Sequence, residues 1–69
     1  MIKFVLVVSL LGGGTKDFAT FDSELEAQCD KTRLYEWNKN KGYGLLRNRG
    51  FDVPKTWAEY NKKVFITTK

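Results

Sequence analysis

The residues best suited to chemistry in this chain lie between Trp37 and Phe51, in the string W-N-K-N-K-G-Y-G-L-L-R-N-R-G-F. Aromatic rings alternate there with Lys39, Lys41, Arg47 and Arg49 around glycines. Single-stranded nucleic acid asks for that mixture: rings stack on bases, cations meet phosphates, and glycines let the backbone come close. Further along, Trp57 adds a ring, and Lys62 and Lys63 add two cations. The candidate binding residues are therefore Lys39, Lys41, Tyr43, Arg47, Arg49, Trp57, Lys62 and Lys63. A structural reading competes with this one. Short chains need their rings inside, which would make Trp37, Tyr43 and Phe51 core and leave the cations as ordinary surface.

Catalysis finds little to work with. The chain has no histidine, which removes the usual base of a nucleophilic triad and the ordinary Cys/His zinc site. A single cysteine, Cys29, excludes an internal disulfide. It is expected on the apolar stripe of a helix, as a small buried hydrophobe rather than a nucleophile. Glu26 and Asp30 stand one turn apart, an arrangement that suits a solvated face near a helix start. The sequence reads as non-enzymatic, with no catalytic residue, metal ligand set or cofactor to assign.

Charge is distributed unevenly. The net charge of +4 combines a first part, residues 1–38, with four basic and six acidic groups, and a second, residues 39–69, with eight and two. The first carries −2 and the second +6. That asymmetry points to an electrostatic partner, either nucleic acid or an acidic protein surface. Solubility alone is the plainer reason for such charge. At 69 residues and 8.0 kDa the chain is one small domain, with a core that holds together only marginally without help.

The elements that must position these residues follow from local signals. Met1–Leu11 is the most apolar stretch and reads as a strand closed by Gly12-Gly13-Gly14. It is too short to span a bilayer. Ile2, Phe4, Leu6, Val8 and Leu10 share one face, yet Val5, Val7 and Leu11 make the other apolar too. Strands of that kind are normally covered on both sides, so either the C-terminal segment folds over the second face or another chain does, as a homo-oligomer through this strand or a docked partner. Thr15–Phe21 reads as the return strand of a hairpin. Ser23 and Glu26 have capping-box spacing and predict a helix to about Asn38, with Leu25, Cys29 and Thr32 on its apolar stripe. Tyr43–Arg47 suits a short strand. Pro54–Asn61 suits a short helix, because Thr56 and Glu59 repeat the cap spacing and Trp57 and Tyr60 fall together at i, i+3. Lys63–Thr68 is β-branched and aromatic and reads as the last strand. The fold class is α+β: an N-terminal hairpin, one main helix on a small antiparallel sheet, a short second helix and a C-terminal strand. An unpaired cysteine fits a reducing, cytoplasmic setting. Secretion is the alternative, if residues 1–14 act as a signal peptide.

One string resembles a known family. Asn38-Lys39-Asn40-Lys41-Gly42-Tyr43-Gly44 looks like the first nucleic-acid-binding motif of cold-shock domains, and Gly50-Phe51-Asp52-Val53 is similar to the stretch leading into their second. The resemblance implies a five-stranded barrel, with Tyr43 as a base stacker and Lys41 as a phosphate contact. Leu45 and Glu36 stand where that family has aromatics, Val53-Pro54-Lys55-Thr56 replaces Val-Phe-Val-His, and only 25 residues follow Gly44. The likeness covers under a third of the chain, and the family is not assigned on it. Two functions remain in view. One is a nucleic-acid binder acting through the basic second half. The other is an accessory or inhibitory module, such as a phage or mobile element would encode, that occupies a partner protein through Trp57, Tyr60 and Arg49.

Overall fold

A computed structural model describes residues 2–69; Met1, which the first-strand reading included, lies outside them. The elements run β1 (Phe4–Ser9), β2 (Thr15–Phe21), α1 (Glu24–Asn40), α2 (Gly44–Asn48), α3 (Trp57–Lys63) and β3 (Val64–Thr68). The strands form one antiparallel sheet in the order β2-β1-β3, which is the expected α+β architecture. The most apolar strand thus takes the centre, where both of its edges are paired. Because β1 is central, cleavage after residue 14 would remove the strand that joins the other two. A bulge between Leu6 and Val7 leaves Phe18 as the extra residue of β2, and its ring meets Phe51 edge-on at 5.9 Å.

Both cap spacings start helices, although the second begins at Trp57 and runs to Lys63 rather than over Pro54–Asn61, because Thr56 is extended and serves as its cap. Ser23 Oγ accepts the Glu26 amide at 3.2 Å, and Thr56 Oγ1 accepts the Glu59 amide at 3.4 Å. At the far end of α1 the Tyr43 amide reaches the Asn38 carbonyl, and the Gly42 amide reaches that of Lys39. This is the Schellman pattern, and it needs the left-handed φ of +81° that Gly42 supplies. Tyr43–Arg47 is not a strand. The chain reverses at Gly42 and Tyr43 and winds into α2, whose Leu46 is buried in the core. Nor is there a five-stranded barrel: the string that resembles the cold-shock motif spans the end of one helix and the start of the next.

The core gathers Leu6 and Val8 of β1 with Leu46, Val53, Tyr60 and Val64, and Leu34, Tyr35, Phe51 and Ile66 pack around them. All three helices contribute, so all lie on one side of the sheet. The buried face of α1 runs through Ala27, Leu34, Tyr35 and Asn38. The expected stripe of Leu25, Cys29 and Thr32 points outward instead, and Cys29 is exposed rather than buried. The physical reason is that α1 has apolar residues on two faces. Only the face that meets the sheet and the α3 rings can be covered.

On the opposite side of the sheet, Val5 and Val7 are already 3% and 4% exposed within a single chain. Their cross-strand neighbours are Thr20 and Asp17 on β2 and Thr67 and Phe65 on β3. Two ion pairs, Lys3–Asp22 and Lys69–Asp17, join flanking positions, the second reaching from the β3 side past β1 to β2. Lysine stems placed across a strand can cover apolar surface while their charges stay wet. The burial that another chain would otherwise supply is therefore largely supplied from within.

Candidate nucleic-acid interface

The site is built where the ends of α1 and α3 meet the 52–56 loop. That loop is anchored by the main chain: Phe51 bridges Leu10, and the Asp52 amide donates to the Ser9 carbonyl at 2.9 Å. Lys55 follows at once. Its carbonyl accepts the Tyr35 hydroxyl at 3.1 Å, and its ammonium lies 5.6 Å from the centre of the Tyr43 ring. Tyr35 in turn meets Trp57 edge-on at 5.0 Å. The Lys31 ammonium sits 5.9 Å from the centre of the Trp57 ring. Contact by contact, Lys31, Trp57, Tyr35, Lys55 and Tyr43 thus form one strip of three rings and two cations, in which Trp57 and Tyr35 adjoin and Tyr35 meets Lys55 through its main-chain carbonyl. Partial burial beside these rings lowers the Lys31 pKa from its ordinary value.

Two features show what the strip offers to a ligand. Trp57 is 44% exposed, even though it stacks on Tyr60 at 5.5 Å. Tyr43 is half-buried and holds a left-handed φ of 68°, which is uncommon for a bulky side chain. Such a conformation costs on the order of 1 kcal/mol or more, and it persists only where the surroundings fix it. Here Gly42 before it and the Schellman bonds around it do so. The turn therefore places the Tyr43 ring beside Lys55, close to the C-terminal end of α1 that carries Lys39 and Lys41.

The predicted residues divide into two groups. Lys39, Lys41, Arg49 and Lys62 are exposed, and among the described residues they enter no ion pair. With Tyr43 and Trp57 they remain candidates. Arg47 and Lys63 do not stand free. Asp52 lies between them, 3.2 Å from the Arg47 Nη2 and 3.4 Å from the Lys63 Nζ, so one carboxylate engages two of the expected cations and halves their net charge. Lys31 and Lys55 were missed. Lys31 sits three positions before Leu34 on α1, and Lys55 follows Pro54 in the segment 54–61 that reads as a short helix. Their spacing from Trp57 and Tyr43 carries no local signal. As a protein anchor, Tyr60 is excluded by its complete burial. Its hydroxyl donates to the Lys31 carbonyl at 2.6 Å, pinning α3 to α1. Burial, reinforced by the charge of Asp30, pushes its ionisation above the ordinary value.

Comparison with protein-family models, with curated proteins and with solved structures returned no match. Among the described residues, no helix is long and apolar enough to cross a membrane.

Proposed function

We propose that this protein is a non-enzymatic binder of single-stranded nucleic acid. The observation that carries the reading is the continuous strip from Lys31 through Trp57, Tyr35 and Lys55 to Tyr43, with Lys39 and Lys41 at its end. Rings with partly open faces next to unpaired ammonium groups are the elements that stacking and phosphate contact require. Sequence preference is weak in this arrangement, because every base has a face to stack and every phosphate has a charge to meet.

Fluorescence anisotropy of a labelled single-stranded oligonucleotide, titrated at several salt concentrations, tests the reading. Exchanging Lys39, Lys41 and Lys55 together for Gln is expected to weaken binding and to flatten the dependence of log affinity on log salt by about 2, roughly 0.7 for each lost phosphate contact. Trp57→Ala is expected to cost about 1–3 kcal/mol of affinity with little change in that slope. Arg47→Gln with Lys63→Gln is the internal control: both are held by Asp52, the three together carry only +1, and the change should have the smallest effect. If the triple lysine variant keeps its circular dichroism spectrum and binds as the parent does, the site is elsewhere.

A further inference from the structure

The outward side of α1 carries what the sequence reading had placed inside. Leu25 is 73% exposed there, one helical turn from the exposed Cys29. Leu25, Cys29 and Arg33, at i, i+4 and i+8, form a ridge between two depressions of about 470 and 360 Å³, the larger an open groove on the β2 side of the helix. Phe21, from the end of β2, closes its floor, and Glu26 and Asp30 line its side. Glu24 lies at the same end of the helix, where Asp22 is already paired with Lys3. Among the described residues Arg33 is the one cation lining it, and it forms an i,i+3 ion pair with Asp30 at 3.9 Å. Four of the eight carboxylates of a molecule of net charge +4 thus lie at or beside this groove, and two of them, Glu24 and Glu26, enter no ion pair among the described residues.

We infer that this groove docks a basic, apolar-faced segment of a partner protein. The apolar floor gives such a segment a place to bury a side chain, and the carboxylates on the side match its cations. The same carboxylates repel nucleic acid and anionic lipid, so the groove cannot serve as an extension of the ring-and-cation strip. The inference does not rest on the nucleic-acid reading, and either can fail alone.

Cys29, the one thiol of the chain, lies in the groove and reports its occupancy. Its alkylation by the neutral reagent iodoacetamide is followed with the intact protein, alone and with two synthetic amphipathic helical peptides, one of Leu and Lys and one of Leu and Glu. The Leu/Lys peptide is expected to slow alkylation at least about tenfold at saturation, and the Leu/Glu peptide to leave it unchanged. Glu26→Lys with Asp30→Lys should reverse that preference. Leu25→Gln, a change at a solvent-facing position that leaves the core intact, should abolish protection by the Leu/Lys peptide. Three outcomes overturn the inference: no protection by either peptide, equal protection by both, or protection that rises with the protein's own concentration. The last assigns the groove to a second copy.

Discussion

Val7 and Val8 are neighbours on the same strand, and they are buried to nearly the same degree, 4% and 1% exposed. They are buried by different means. Val8 faces the helices and packs in the shared core with Leu6, Tyr60 and Val64. Val7 faces away and is hidden by its strand neighbours, the half-open Phe65 and the lysine–aspartate pairs. The lesson is that solvent exposure does not distinguish a packed layer from a canopy of flexible side chains. A canopy can re-form over a smaller residue; a packed core cannot.

The largest effect expected is that of Val8→Ala. Two lost methyl groups cost about 1.6 kcal/mol of transfer free energy, and the unfilled space brings the total to about 2.5 kcal/mol. Val7→Ala makes the same chemical change and should cost about 1.5 kcal/mol, the transfer part alone. Urea denaturation of both variants measures the difference. Equal costs would break the comparison and show that a second layer covers the outer face in solution.

Tyr60→Phe sharpens the contrast from the helix side. It removes the hydroxyl that donates to the Lys31 carbonyl and should cost about 1 kcal/mol at neutral pH. It also alters the pH dependence. In the unfolded chain a tyrosine ionises near pH 10, whereas the folded protein holds Tyr60 neutral to higher pH. Above about pH 10 the unfolded state therefore binds fewer protons than the folded one, and stability falls as pH rises. Lys31, lowered by burial, acts in the opposite sense. The readout is thus the difference between the parent and Tyr60→Phe, which should narrow by up to about 1.4 kcal/mol per pH unit above pH 10. A constant difference would mean that the hydroxyl titrates normally. The smallest effect is assigned to Lys69→Gln, below about 0.5 kcal/mol at moderate salt, because its pair with Asp17 is largely exposed. A larger loss would show that the canopy depends on this charge.

The parts of this molecule that could be read from the sequence are those set by near neighbours. Ser23 with Glu26 and Thr56 with Glu59 specify helix starts over three residues, and the apolar run before the glycines specifies a strand. Trp57 and Tyr60 stack as their spacing requires. The face that α1 would bury was not legible, because Leu25 and Cys29 compete with Leu34 and Tyr35, and Asn38 occupies a buried position. That side chain is 1% exposed, and its amide finds no hydrogen-bond partner. Residues 43–47 look strand-like by composition, yet the left-handed Gly42 and Tyr43 redirect the chain. At the site, the types of residue were visible and their partners were not. The fate of Arg47 and Lys63 depends on Asp52, which the Ser9 backbone holds in place from the far end of the chain.

The pairing of β1 with β3 joins Phe4 to Thr68 and Val8 to Val64. During synthesis, β1 and β2 leave the ribosome early and can zip together at once, whereas β3 is the last of the six elements to emerge. Until then the valine-rich strand presents a bare hydrogen-bonding edge to every other nascent chain nearby. A contact spanning nearly the whole sequence is also slow to close. For this protein, the hazard of misassembly therefore falls in the interval before its final strand arrives.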